Sequence, residues 1–215
     1  QLFDYDVFFQ TFSKIKNLAV ELRNLGYEVN NLDLGGGFGV DYTMKSLLNY
    51  KSFSKALNEV FKNNEFQLSV EPGRSLIAES GVLLTKVIRT KSTNYKNFLI
   101  VDAAMNNLIR PTLYNATHSI QPLKIKRNRS SKKYDVVGPI CETGDFLGID
   151  FNLQETKKNE VLAIMTCGAY GSVMRSNYNS RPSAAEVFVL NNEEILLRKR
   201  EEIDQLLKLD IIPNL

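Results

Sequence analysis

Two apolar runs, Val29 to Leu34 and Phe66 to Val70, each break at a glycine-bearing turn, and a stretch of helical spacing lies between them. Strand, turn, helix, strand and turn in that order make a βαβ unit, whose two strands must run parallel because the helix carries the chain back. The turns are Leu34-Gly35-Gly36-Gly37-Phe38-Gly39 and Glu71-Pro72-Gly73-Arg74. Backbone N–H groups approach an anion closely only where no Cβ intervenes, so the paired turns point to loops that hold a phosphate-bearing cofactor. A flexible turn between strand and helix is the plainer alternative.

The surrounding pattern extends the rhythm. Phe8, Phe12, Ile15, Leu18, Ala19, Leu22 and Leu25 recur at helical spacing before Gly26, a C-cap signal, and Tyr50, Phe53, Leu57, Val60 and Phe61 mark a second helical face. Beyond about Ser80 the texture changes to short β-rich runs separated by Gly, Pro, Asn and Ser. These are Val82 to Ile88, Phe98 to Val101, Tyr134 to Val137, Phe146 to Ile149, Val161 to Met165 and Ala185 to Leu190. Arg200 to Leu209 predicts a closing helix. The expected fold class is α/β plus all-β, with residues 1–80 in a parallel-sheet or α/β-barrel arrangement and 81–215 in a β domain.

Composition excludes several functions. With 215 residues and 43% hydrophobic content the chain can bury an ordinary core, and 27 basic against 24 acidic residues leave a net charge of only +3. That balance lacks the footprint of a nucleic-acid binder. The basic cluster Lys124, Lys126, Arg127, Arg129, Lys132 and Lys133 has no interleaved aromatic residue and reads as a solvated loop. Two cysteines make no disulfide framework, and no apolar run reaches the ~18 residues of a membrane span. A reduced, cytoplasmic setting without membrane partners is expected. Gln1 opens the chain with neither a basic segment nor a cleavage signal, which suggests a start within a longer protein.

Three polar constellations carry chemistry. In Gly138-Pro139-Ile140-Cys141-Glu142-Thr143-Gly144-Asp145 a thiol stands beside carboxylates, which disfavour a second negative charge, so Cys141 suits proton donation better than thiolate attack. A small buried cysteine in a polar turn is the alternative. Arg110, placed before Pro111, should be extended, with a guanidinium able to fork onto a carboxylate and the Tyr114 hydroxyl nearby. Gly168-Ala169-Tyr170-Gly171 and the loop Ser176-Asn177-Tyr178-Asn179-Ser180-Arg181-Pro182 could close over a pocket. His118 is the single histidine and Cys167 sits by an apolar run; both read as structural, and neither makes metal-ligand spacing.

The order LDLGGGFGVDY, EPGRSLIAESG, MNNLIRPTLYNATH, VVGPICETGD and GAYGSVMRSNYNSRP resembles the alanine-racemase-like, fold-type III pyridoxal-phosphate decarboxylases, and within them the branch acting on meso-2,6-diaminopimelate. The resemblance runs from about Leu32 to Val189. It implies the C-terminal half of such an enzyme, namely the C-terminal part of a cofactor-binding (β/α)8 barrel followed by a β-barrel or sandwich domain. It also implies pyridoxal 5′-phosphate as cofactor and release of L-lysine and CO2, the last step of lysine biosynthesis. Gly36, Gly37, Pro72, Gly73 and Arg74 would hold the phosphate with help from Tyr170, and Glu71 would face the pyridine nitrogen.

By the same resemblance Arg74, Arg110, Tyr114, Glu142 and Tyr170 would contact an amino-acid substrate, and Cys141 would be the catalytic proton donor. Family members are homodimers with shared active sites, so the Cys141 turn would serve the partner's cofactor. Arg110 with Glu142 matches a distal carboxylate and ammonium, whereas ornithine or arginine decarboxylase, the alternative, would set Arg110 against a distal cation. Asn107 stands where the family motif has an acidic residue, and Thr143 where it has serine. The cofactor-attaching lysine, carried in the family by a Tyr-Ala-Lys-Ala-Asn-like motif, has no counterpart here. The resemblance therefore implies a fragment unable to turn over substrate unaided; a catalytically dead homologue acting as a binding partner is the other class of reading.

Overall fold

The computed structural model describes residues 1–44, 50–63, 66–211 and 213. The chain divides into two compact units, Gln1–Gly81 and Val82–Leu215.

In the first unit, α1 (Tyr5–Asn24) ends as its spacing requires: Gly26 N bonds to Arg23 O at 3.0 Å and Tyr27 N to Leu22 O at 3.1 Å, satisfying carbonyls that the helix leaves over. Strand β1 (Asn31–Asp33), helix α2 (Lys51–Val60), strand β2 (Gln67–Ser69) and the short α3 (Arg74–Ile77) follow. The two strands pair in parallel with Leu32 opposite Leu68, the pairing that a helical crossover demands. Among the described residues this unit therefore holds a parallel strand pair with its helices rather than a closed barrel.

Its core is aromatic. Phe53 of α2 meets Phe38 at 4.9 Å between ring centroids, and Phe8 and Phe12 of α1 at 5.5 Å each, all edge to face. Phe38 is the side chain between Gly37 and Gly39, so burying it in this cluster pins the glycine turn to both helices. Leu2 adds a main-chain clamp, donating to Gly37 O at 2.8 Å and accepting from Gly39 N at 3.1 Å.

The second unit is built on β3 (Leu83–Ser92), β4 (Asn97–Val101), β5 (Ile120–Pro122), β6 (Ser131–Val137), β7 (Phe146–Gln154) and β8 (Val161–Ile164). They form one mixed sheet in the order β5-β8-β3-β4-β6-β7, with β4 and β6 parallel and the other pairs antiparallel. The sheet curls until its edges meet: a Cβ on Gly148 of β7 would lie 3.0 Å from Ile120 Cδ1 of β5. The inward residues Val87, Leu99, Val101, Val136, Leu147, Leu162 and Ile164 fill the space so enclosed and are fully buried.

Helix α4 (Arg110–Tyr114) lies between β4 and β5, the hairpin β9 (Glu186–Leu190) with β10 (Glu193–Arg198) follows β8, and α5 (Ile203–Leu207) comes last. The expected closing helix is thus only five residues long, and Ile203 and Leu207 on its apolar side are exposed. Strands β5 and β10 were not expected from the sequence. Arg110 also departs from expectation, since it opens a helical turn instead of lying extended. Pro111 sits in the first turn, where its missing N–H costs no helical bond and its fixed φ suits the helix.

The basic segment 124–133 is folded down and not merely solvated. Arg129 pairs with Glu160 at 2.6 Å, Lys132 with Glu155 at 3.1 Å, and Lys126 N donates to Gln154 Oε1 at 2.8 Å.

Candidate functional site

The first unit brings its two glycine-bearing turns side by side. The parallel ladder runs past both strand ends, with Leu34 N donating to Ser69 O and Glu71 N to Gly35 O, each at 2.9 Å. Gly36 faces the Glu71 backbone so closely that a Cβ there would lie 2.2 Å from Glu71 O, and Gly37 has φ of +83°. Glycine is required at both positions, at one by contact and at the other by conformation. Gly36, Gly37, Glu71, Pro72, Gly73 and Arg74 are therefore neighbours, with the Glu71 carboxylate exposed. Ser75 Oγ, one residue past Arg74, is buried with no hydrogen-bond partner among the described residues. A hydroxyl donor beside two glycine turns fits a phosphate group.

In the second unit a buried carboxylate builds the turn that presents Cys141. Asp145 Oδ1 accepts from Met105 N and Oδ2 from Ile140 N, both at 2.7 Å, so one side chain fixes the turn and ties it to the segment after β4. Burial raises the Asp145 pKa, against the two backbone N–H groups that stabilise its charge. Cys141 and Glu142 stand exposed at the tip. The reading of Cys141 as a buried structural thiol is thereby excluded.

Helix α4 packs on the same turn. Thr112 Oγ1 donates to Gly144 O at 2.5 Å, and a Cβ on Gly144 would come within 2.7 Å of Thr112 Cγ2. Arg110 and Tyr114 thus sit on the helix that touches the Cys141–Asp145 turn. Tyr114 is 61% exposed, but Arg110 is only 5% exposed and places Nη1 2.9 Å from His118 Nε2. His118 is fully buried and its Nδ1 lies 3.0 Å from Met165 O, which confirms a packed histidine. Cys167 is packed as expected, its thiol donating to Ile164 O at 3.2 Å and pushed up to about 12 by burial.

Tyr170 follows on the turn after β8, partly exposed with φ of +59°, a left-handed conformation costly for a tyrosine. Gly171 allows that turn to fold back, since a Cβ there would lie 2.4 Å from Cys167 O.

Several contributors were not legible in the sequence. Tyr178 Oη donates to Glu142 Oε2 at 3.3 Å, and that carboxylate raises the phenol's pKa. Asn106, almost wholly buried, donates to Ser176 O at 3.2 Å and accepts from Arg181 Nε at 3.3 Å, so it fastens the 176–181 loop. Asn107 caps its own turn, its Oδ1 accepting from Ala104 N at 3.1 Å. These residues lie inside the quoted motifs, but partners up to 75 positions away leave no local signal.

Taken together, these features describe an α/β unit with anion-ready turns and a curled mixed-sheet unit that presents a thiol and a carboxylate beside a helix carrying a buried arginine. The family model for the pyridoxal-dependent decarboxylase C-terminal sheet domain matches residues 4–168. The chain belongs to that family, as its five motifs indicated.

The diaminopimelate decarboxylase of Vibrio cholerae is 43% identical over 206 residues, 95% of this chain and 49% of the relative. That of Aquifex aeolicus is 41% identical over 209 residues, 97% of this chain and 50% of the relative. A crystal structure of the M. jannaschii diaminopimelate decarboxylase in complex with L-lysine superposes with a TM-score of 0.93 at 35% identity, covering 99% of this chain and 50% of that one. The chain spans about half the length of the curated relatives it matches.

Proposed function

We propose that the protein containing these residues decarboxylates meso-2,6-diaminopimelate to L-lysine and CO2, with pyridoxal 5′-phosphate as cofactor. The observation that carries this reading is the exposed Cys141–Glu142 tip, held by Asp145 and packed through Thr112 against the helix of Arg110 and Tyr114. The family and the curated relatives support it. The first unit reads as the closing part of a (β/α)8 barrel (residues 1–80) and residues 81–215 as the β domain of a cytoplasmic homodimer in which the Cys141 turn serves the partner's cofactor.

Pyridoxal phosphate, when bound, supplies the electron sink for the charge left as CO2 departs. Gly36, Gly37, Pro72, Gly73 and Arg74 would hold its phosphate, with Tyr170 as a further contact. Glu71 would keep the ring nitrogen protonated, because a carboxylate stabilises a nearby cation. Arg110, Tyr114, Arg74 and Tyr170 would orient the substrate, with Arg110 meeting its distal carboxylate and Glu142 its distal ammonium. Cys141 would deliver a proton to the carbon that has lost CO2. Each charge-assisted contact is worth about 1.5–3 kcal/mol, or about ten- to hundred-fold in selectivity over a substrate lacking the distal carboxylate.

The test is an assay of the complete enzyme with diaminopimelate, ornithine and arginine. L-lysine formation is expected, lowered about 10²- to 10⁴-fold in kcat by Cys141→Ala. The 215-residue chain alone should gain no visible absorbance with the cofactor and release no CO2. Preferential turnover of ornithine or arginine, or no turnover of any of them, would overturn the reading.

A further inference from the structure

His118 lies in the segment that joins α4 to β5, and the left-handed Asn115 (φ +51°) ends the helix and turns the chain back so that the imidazole comes under Arg110. The two hydrogen-bond partners at its ring nitrogens fix how the ring is protonated. Met165 O can only accept, so Nδ1 carries the hydrogen; the Arg110 guanidinium can only donate, so Nε2 carries the lone pair. A protonated ring would set an N–H against an N–H.

We propose that His118 is the positioning residue for Arg110, a buried acceptor fixed in its Nδ1–H tautomer by the Met165 carbonyl that sets where the guanidinium stands for an anionic group of the substrate. This rests on reading Arg110 as a substrate contact. Burial, opposed by the Met165 carbonyl and aided by the Arg110 charge, lowers the His118 pKa to about 4, so the ring stays neutral across the working pH range. The Cys167 thiol also lies close by, its Sγ 3.9 Å from Nδ1, and it too stays protonated. A neutral acceptor orients the guanidinium without cancelling its charge, which a carboxylate at this position would do. Met165 directly follows β8 and precedes the Tyr170 turn, so one imidazole ties two candidate substrate contacts to a common reference.

Kinetics of the complete enzyme test this. Gln offers one acceptor and one donor, as the neutral ring does, and His118→Gln should keep KM within about three-fold of the parent. His118→Leu removes the acceptor and should raise KM for diaminopimelate about ten- to hundred-fold with kcat changed far less. Equal KM in both variants, or a fall in kcat alone, would overturn the proposal. A second arm needs neither substrate nor a stable Leu variant. The ¹⁵N-imidazole resonances lost in His118→Gln should show an Nδ1–H tautomer with no titration above pH 5, and should shift in Arg110→Lys. An Nε2–H tautomer, or signals indifferent to Arg110→Lys, would refute the contact, whatever the enzyme's substrate proves to be.

Discussion

Gly36 shows how much one missing Cβ can decide. Its neighbour is a main-chain carbonyl at the end of a parallel ladder and cannot swing aside as a side chain would. Gly36→Ala should therefore push the Gly35–Gly37 turn away from Glu71, destabilising the complete enzyme by about 1–3 kcal/mol and weakening pyridoxal phosphate binding, as read by a thermal melt and a cofactor titration. Asp145 is the counterpart in the second unit. Asp145→Asn replaces one acceptor by an NH2 that faces a backbone N–H, and should cost about 1–3 kcal/mol in a denaturant melt while loosening the Cys141 tip and lowering kcat. The glycines were legible because their type alone announces a close approach. Asp145 was quoted in the sequence as a carboxylate near a thiol, but its structural role depends on Met105, 40 residues earlier.

At the level of elements, strands with apolar alternation were legible and those without it were not. Ile120–Pro122 is too short and polar to announce itself, and takes its extended form from pairing with β8. Glu193–Arg198 becomes a strand because it lies antiparallel to Glu186–Leu190, an arrangement reinforced by Arg175 and Arg198 on Glu186 at 2.7 and 2.9 Å. The basic segment 124–133 looked unpartnered because its acids lie 23 and 31 residues downstream.

That pairing has a pH signature. Arg129, followed by the Lys157 N–H, holds Glu160 down to about 2 from its ordinary 4.5. A depressed carboxylate gives stability that is present above pH 4.5 and lost as pH falls toward 2. Solvent screening limits its worth to about 1 kcal/mol. Glu160→Gln should therefore lower stability by about 1 kcal/mol at neutral pH and by progressively less as pH falls from 4.5 toward 2, so that denaturant melts of parent and variant followed by circular dichroism converge at low pH; a difference that stays constant with pH would refute this.

For the whole molecule, the distribution of apolar surface is informative. The β9–β10 hairpin exposes Val187, Phe188, Val189, Leu190, Ile195, Leu196 and Leu197, and a two-stranded ribbon has no core of its own. The isolated 215-residue chain should therefore self-associate in sedimentation velocity, and Phe188→Lys with Leu197→Lys should shift it toward the monomer. A single monomeric species in the parent would refute this. No described helix is long and apolar enough to cross a membrane.

The sequence by itself determined the parallel βαβ rhythm, the β-rich remainder and the family, because periodicity, glycine and proline placement and motif order are local properties of a chain. Tertiary structure alone decided that Arg110 is buried in a helical turn against His118, that Asp145 holds the Cys141 tip, and that Tyr178 reaches Glu142. Met105 and Asp145, His118 and Met165, and Glu142 and Tyr178 lie 40, 47 and 36 residues apart and meet only after the sheet has curled, and even Arg110 and His118, eight apart, are set against each other by the left-handed turn and burial that this packing imposes.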